Sequence, residues 1–100
     1  MAFDKIQDLP EEVKELIFSE EIFQANKDLF KKYYLDRKQI EFVLDLLDDI
    51  YLQKIEPLDL PQRLEEIERA KYLDLREISL YIARNILWPL EDHLGTVHRL

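Results

Sequence analysis

A seven-residue phrase occurs twice in this chain, and each copy spells the beginning of an α-helix. Tyr34-Leu35-Asp36-Arg37-Lys38-Gln39-Ile40 returns 38 positions later as Tyr72-Leu73-Asp74-Leu75-Arg76-Glu77-Ile78. An Asp at the N-cap accepts a hydrogen bond from the backbone N–H three residues on. A Gln or Glu at that third position reaches back to the cap's own N–H. Leu and Ile flanking the pair form a hydrophobic staple that fixes the angle at which the chain enters the helix. Removing either Asp is expected to cost about 1 kcal/mol of stability. The phrase is punctuation for folding and carries no chemistry of its own.

A second phrase, Asp8-Leu9-Pro10-Glu11 and Asp59-Leu60-Pro61-Gln62, offers an Asp cap, a Pro in the first turn where its missing N–H is harmless, and an acid or amide at the third position. Ser19, followed by Glu20 and Glu21, supplies one more start, since acidic side chains suit a helix N-terminus. These starts and the apolar spacing predict five helices. The first covers 10–18, with Val13, Leu16 and Ile17 on one face. The second covers 20–34, with Ile22, Phe23, Asn26, Leu29, Phe30 and Tyr33 at spacings of three and four. The third, over 37–55, is apolar nearly all round and is expected at the centre of the fold. The fourth covers 61–71, with Leu60, Leu64 and Ile67 marking its apolar face, and the fifth 75–88, where Pro89 should kink or end it. Leu90 to Leu94 add a final turn before Gly95. In both halves Asp-Leu-Pro leads to Tyr-Leu-Asp, but the spacers differ by more than a dozen residues, which favours convergence on good caps over duplication.

Composition agrees with helices and narrows the chemistry. One Gly and four Pro are too few for a sheet of short hairpins. Hydrophobic residues at 47% supply one core, and 100 residues make one domain. No Cys is present, so there is no disulfide framework and no thiolate metal site. Met1-Ala2-Phe3-Asp4-Lys5 lacks the basic start and apolar run of a signal peptide, and no apolar stretch approaches the ~20 residues of a membrane span. The expected location is cytoplasmic. Fourteen basic and 22 acidic side chains give a net charge of −8, which argues against nucleic acid as a partner. The local cluster Lys27, Lys31, Lys32, Arg37 and Lys38 reads better as cations opposing a helix dipole than as a phosphate patch.

Glu41, Asp45, Asp48 and Asp49 stand at i, i+4, i+7 and i+8, which sets four carboxylates on one stripe of the third helix. Such a stripe suits a divalent metal, a basic partner, or simply water. Helical di-metal sites draw carboxylates from facing helices with a Glu-x-x-His, and that motif does not occur. The stripe therefore reads as a solvated strip first and as a partner surface second. His93 and His98 are five apart, beyond the i, i+4 spacing of a helical zinc site. Asn85 lies within the apolar pattern of the fifth helix, where a buried amide bonds within the core or to a linker carbonyl. Arg84 beside it reads as one half of a surface ion pair. Neither Ser19 nor Ser79 sits in a Gly-x-Ser-x-Gly elbow. Asp36 and Asp74 are not followed by the Ser an acyl carrier needs, and one Gly allows neither an EF-hand nor a phosphate loop.

Four stretches carry a resemblance: Leu9-Pro10-Glu11-Glu12-Val13-Lys14-Glu15-Leu16-Ile17-Phe18-Ser19-Glu20-Glu21; Lys32-Tyr33-Tyr34-Leu35; the region from Leu46 to Leu60, closing on Pro57-Leu58-Asp59-Leu60; and Ile82-Ala83-Arg84-Asn85-Ile86-Leu87-Trp88-Pro89-Leu90. Together they resemble a small all-helical domain of unknown function that recurs in predicted proteins of candidate-phyla bacteria. The resemblance covers about residues 9 to 94 and rests on capping and core positions. That family often carries a Gly after the apolar run of the third helix, where this chain has Leu52-Gln53-Lys54. The resemblance implies a helical fold and supplies no mechanism.

The expectation is an all-α domain over 1–100, a compact bundle of five to six short helices around a central apolar third helix, with 1–8 and 95–100 loosely ordered. The expected role is a non-enzymatic protein-interaction module without a cofactor. Its partner would be basic, meeting Glu41, Asp45, Asp48 and Asp49, or would bury aromatics such as Phe3, Tyr51 or Trp88. A second class is an acidic inhibitor or antitoxin covering a basic toxin or nucleic-acid enzyme. A third is a metal-dependent enzyme using the carboxylate stripe. A second copy of the chain is a further candidate to cover part of the third helix.

Overall fold

The computed structural model describes residues 2–100. Helix α1 is Glu11–Ile17, α2 Glu20–Lys32, α3 Arg37–Tyr51, α4 Leu60–Leu64, α5 Leu75–Ile82 and α6 Glu91–Leu94, joined by short 3₁₀ turns. Among the described residues there is no strand. The Cα radius of gyration is 12.8 Å, the size of one compact domain of this length. The chain is thus an all-α bundle of short helices around one core. Helix α3 is its longest element and sends Val43, Leu46, Leu47, Ile50 and Tyr51 inward. Leu29 of α2, Leu60 and Leu64 of α4, and Ile78 and Ile82 of α5 close around them.

Asp36 caps α3 as its sequence requires. Gln39 donates its backbone N–H to Asp36 Oδ1 at 2.9 Å, and Asp36 donates its own N–H to Gln39 Oε1 at 2.9 Å. Asp74 makes only half of that exchange on α5, accepting from the Glu77 N–H at 3.1 Å. The two Asp-Leu-Pro phrases do not form capping boxes. Pro10 itself occupies the N-cap of α1, and Asp8 lies further back in the 3₁₀ turn Ile6–Asp8. Asp59 is the N-cap of α4 but ends the preceding 3₁₀ turn, at φ −83° and ψ −5°. A cap needs extended backbone to turn its carboxylate onto the first turn, so helical dihedrals forbid it here.

Three helices end earlier than their apolar pattern predicts, each at a residue in the left-handed region or a tightened turn. After α2, Tyr34 adopts φ +53°. Its N–H donates to the Lys31 carbonyl and that of Leu35 to the Phe30 carbonyl, a Schellman closure. After α3, Gln53 adopts φ +62°, with Gln53 donating to the Ile50 carbonyl and Lys54 to that of Asp49. The turn that a Gly would ordinarily make is made by a Gln, whose Nε2 donates to the His93 carbonyl at 2.8 Å. After α4 the chain tightens to three residues per turn. That spacing keeps Leu64 and Ile67 both inside, and Arg69 at φ +56° then reverses the chain.

At the far end, α5 gives up its regular geometry at Ile82, seven residues before Pro89. It widens into a π-turn over Ala83–Leu87 and then tightens through Trp88–Leu90. Pro89 has no N–H for the Asn85 carbonyl and its ring would press on it, and a wider turn relieves that clash. Asn85 is exposed and donates Nδ2 to the Tyr81 carbonyl on its own helix at 3.0 Å, so it is not a buried core amide. Phe3 donates its N–H to the Leu52 carbonyl at 2.8 Å and Leu9 is buried, while Val97 is buried in the core. Met1 lies outside the described residues.

Candidate functional site

The α1–α2 junction is a single tight step, and it throws two phenyl rings outward. Ser19 accepts the Ile22 N–H at 3.3 Å and donates its hydroxyl to the Leu16 carbonyl at 2.7 Å, pinning the last turn of α1 to the first of α2. Phe18, at the end of α1, is left 71% exposed. One turn into α2, Ile22, Ala25 and Leu29 make the buried stripe. Phe23 stands one step around the helix from it and is 58% exposed. From α3, Leu44 sits beside buried Val43 by the same one-step offset and is 39% exposed. These three side chains, with Ile17, line one groove of about 260 Å³.

Leu47, Tyr51, Asn26 and Asp48 complete that groove. Tyr51 is buried rather than an exposed aromatic, and burial with the nearby Asp48 charge pushes its hydroxyl well above the ordinary tyrosine value. Partial burial, together with the charges of Asp45 and Asp49, also raises the carboxyl of the otherwise exposed Asp48 above its ordinary value of 3.8. Asn26 Oδ1 is buried, and no donor among the described residues reaches it. Lys27 Nζ stands 5.6 Å from the Phe23 ring centroid, so a cation already rests on one of the walls.

The four predicted carboxylates share a strip of α3 but look into different surroundings. Asp48 lines the groove, whereas Asp45 and Asp49 line a shallower cleft with Phe42, Leu46, Ile55, Arg63 and Glu66. Glu41 pairs with Arg37 one turn back at 3.4 Å, an exposed contact of small energy. Among the described residues no three His, Cys, Asp or Glu side chains converge on a point that would hold a metal ion.

The other residues singled out have structural duties. His93 Nε2 lies 2.9 Å from the Tyr51 carbonyl oxygen, and its ring packs on Phe3 at 5.9 Å. His98 Nδ1 meets the Glu91 carboxylate. Lys32 lies over the rings of Tyr33 and Tyr81, at 5.5 and 5.7 Å, which gives that part of the basic cluster a place on the fold itself. Of the three aromatics proposed for a partner, only Trp88 is exposed, and it lies apart from the groove lining.

Phe18, Phe23, Asn26 and Leu44 do not read from the sequence as a surface, because Phe23 and Asn26 fall in the apolar spacing of the second helix and Leu44 in a third helix that is apolar nearly all round. The available signal was adjacency. In Ile22-Phe23 and Val43-Leu44 the neighbours lie about 100° apart on a helix and only the first of each pair is buried, whereas both members of Leu46-Leu47 and Ile50-Tyr51 are, so adjacency alone does not decide the outcome. The chain matches no family model, no curated protein and no solved structure. No helix among the described residues is long and apolar enough to cross a membrane.

Proposed function

We propose that this chain is a non-enzymatic protein-interaction module that meets a basic partner across the groove between the α1–α2 junction and α3. One observation carries the reading: three large apolar side chains exposed to water, Phe18, Phe23 and Leu44, line a single concavity with an Asp carboxylate in it. Exposed apolar side chains gathered in one place mark binding surfaces far more often than scattered ones do. The Asp48 carboxyl in the groove, with Asp45 and Asp49 in the neighbouring cleft, on a chain of net charge −8, favours a cationic partner. On composition alone we infer a cytoplasmic setting, since a chain without Cys gains nothing from an oxidising compartment.

The test is cross-linked capture from cell extract with the native protein and the double variant Phe18→Ser/Phe23→Ser, at low and high salt. Species held by the native protein, lost in the variant and weakened by salt support the reading. Identical capture by both proteins overturns it. Light scattering on the native protein alone separates a foreign partner from a second copy. The same acidic surface also favours an inhibitor that covers a basic enzyme, and loss of that enzyme's activity on titration with this protein would distinguish the two roles.

A further inference from the structure

The groove has a chemical asymmetry that narrows its occupant. Its walls are apolar, at Phe18, Phe23 and Leu44, but Asp48 sets a carboxyl group in the lining and Asn26, also in the lining, holds a side-chain oxygen with no donor among the described residues. A purely apolar anchor would cover the walls, strand the Asp48 carboxyl and leave the Asn26 oxygen without a donor as before, and an unanswered buried acceptor is costly. A donor-rich cation on an apolar stem satisfies both demands. The two ends of an Asn amide exchange by a half-turn of its last torsion, so the Asn26 amide can turn either end to an arriving group.

We propose that this groove takes an arginine side chain from a basic partner protein, its methylenes on the two phenyl rings and its guanidinium shared between the Asp48 carboxylate and the Asn26 oxygen. Arginine fits better than lysine for physical reasons. The guanidinium is flat, stacks on aromatic faces and presents five N–H groups in a fixed fork that reaches two acceptors at once. It also sheds water more readily than an ammonium, which matters in a groove walled by rings. A second copy of the chain is the weaker candidate, since each copy brings a net charge of −8 to the same place.

The inference rests on the protein-binding reading and is tested apart from it, with three acetylated, amidated peptides: Leu-Arg-Leu, Leu-Lys-Leu and the neutral isostere Leu-citrulline-Leu. Amide and side-chain signals of the native protein are followed by NMR during titration. Arginine should bind about tenfold tighter than citrulline and measurably tighter than lysine, with shifts confined to Phe18, Phe23, Asn26, Leu44 and Asp48. Asp48→Asn and Asn26→Leu should each weaken the arginine peptide by about tenfold, and the remote Asp92→Asn should not change it. Equal binding of arginine and citrulline overturns the inference, as do shifts located elsewhere or no shifts at all. Groove signals that move with protein concentration before any peptide is added assign the site to a second copy and overturn it too. The peptide series on the native protein decides the matter even if a variant fails to fold. If the peptides ignore the groove while salt-sensitive capture still depends on Phe18 and Phe23, only the arginine falls.

Discussion

Helices α3 and α5 begin with nearly the same words and are held by different amounts of structure. At α3 the capping exchange is reciprocal. Gln39, only 4% exposed, uses its remaining amide hydrogens to donate Nε2 to the Glu68 carbonyl at 2.8 Å. The Arg69 guanidinium lies against the Asp36 carboxylate as well. The cap of α3 is thereby also the clasp that holds the turn after α4. At α5, Asp74 is exposed, and among the described residues its carboxylate bonds only to the Glu77 N–H, with no distant segment leaning on it. A local motif sets where a helix begins, but its energy depends on what else its side chains reach.

Three substitutions would break or confirm that difference, read by urea unfolding followed with circular dichroism. Gln39→Ala should have the largest effect, about 3 kcal/mol, because it removes a buried side chain and strips the partly buried Glu68 carbonyl and Asp36 N–H of their partners. Asp36→Ala should cost about 2 kcal/mol, the upper end for a cap, since the Arg69 contact goes with it. Asp74→Ala should cost about 0.5 kcal/mol, the lower end. Equal losses at Asp36 and Asp74 would mean that the clasp adds nothing and that the two starts are energetically one motif.

The first residue of the phrase sharpens the contrast in the opposite direction. Tyr34 is held at φ +53° and is 91% exposed, so it bears a left-handed strain with little contact to offset it. Tyr72 sits in a 3₁₀ turn with ordinary backbone. Tyr34→Gly should therefore raise stability by about 0.5 kcal/mol, as relief of the strain outweighs the added freedom of the unfolded chain. Tyr72→Gly should lower it by a similar amount. A loss at both positions would show that Tyr34 makes a contact that outweighs its strain.

These contrasts also mark what the sequence discloses. The starts at Asp36, Asp74 and Ser19 were legible because capping is local: the acceptor and its N–H lie within four residues. The ends were not, because Tyr34, Gln53 and Arg69 take a conformation that glycine usually signals, and nothing in those letters says so. The widening before Pro89 was half-legible; the proline announces a disturbance without saying whether the helix stops or expands. The groove was the least legible part. Asp48 was named among four carboxylates, but its separation from Asp45 and Asp49 depends on how α2 lies beside α3. Phe18, Phe23 and Leu44 look like core residues until the packing shows which of two adjacent apolar positions wins.

Asp48 completes the comparison as an aspartate that works against the fold. Asp36 and Asp74 stabilise helices as carboxylates, whereas the raised pKa of Asp48 means that the folded state prefers it protonated. Between the ordinary value of 3.8 and the raised one, the folded chain binds the extra proton. Stability is thus fullest below that window and falls as pH rises through it. Asp48→Asn, neutral at every pH, should be more stable than the native protein near neutrality by about 0.3 kcal/mol, a small figure because the side chain is exposed and screened. The gain should fade on acidification as the native carboxyl takes up its proton. Paired unfolding curves at neutral and acid pH check both statements. If the same substitution also weakens the arginine peptide, one carboxylate will have lowered stability while serving recognition, the exchange expected where a charge is kept for a partner. A stability loss on Asp48→Asn at neutral pH would place Asp48 with Asp36 and Asp74, as one more anchor of its own fold.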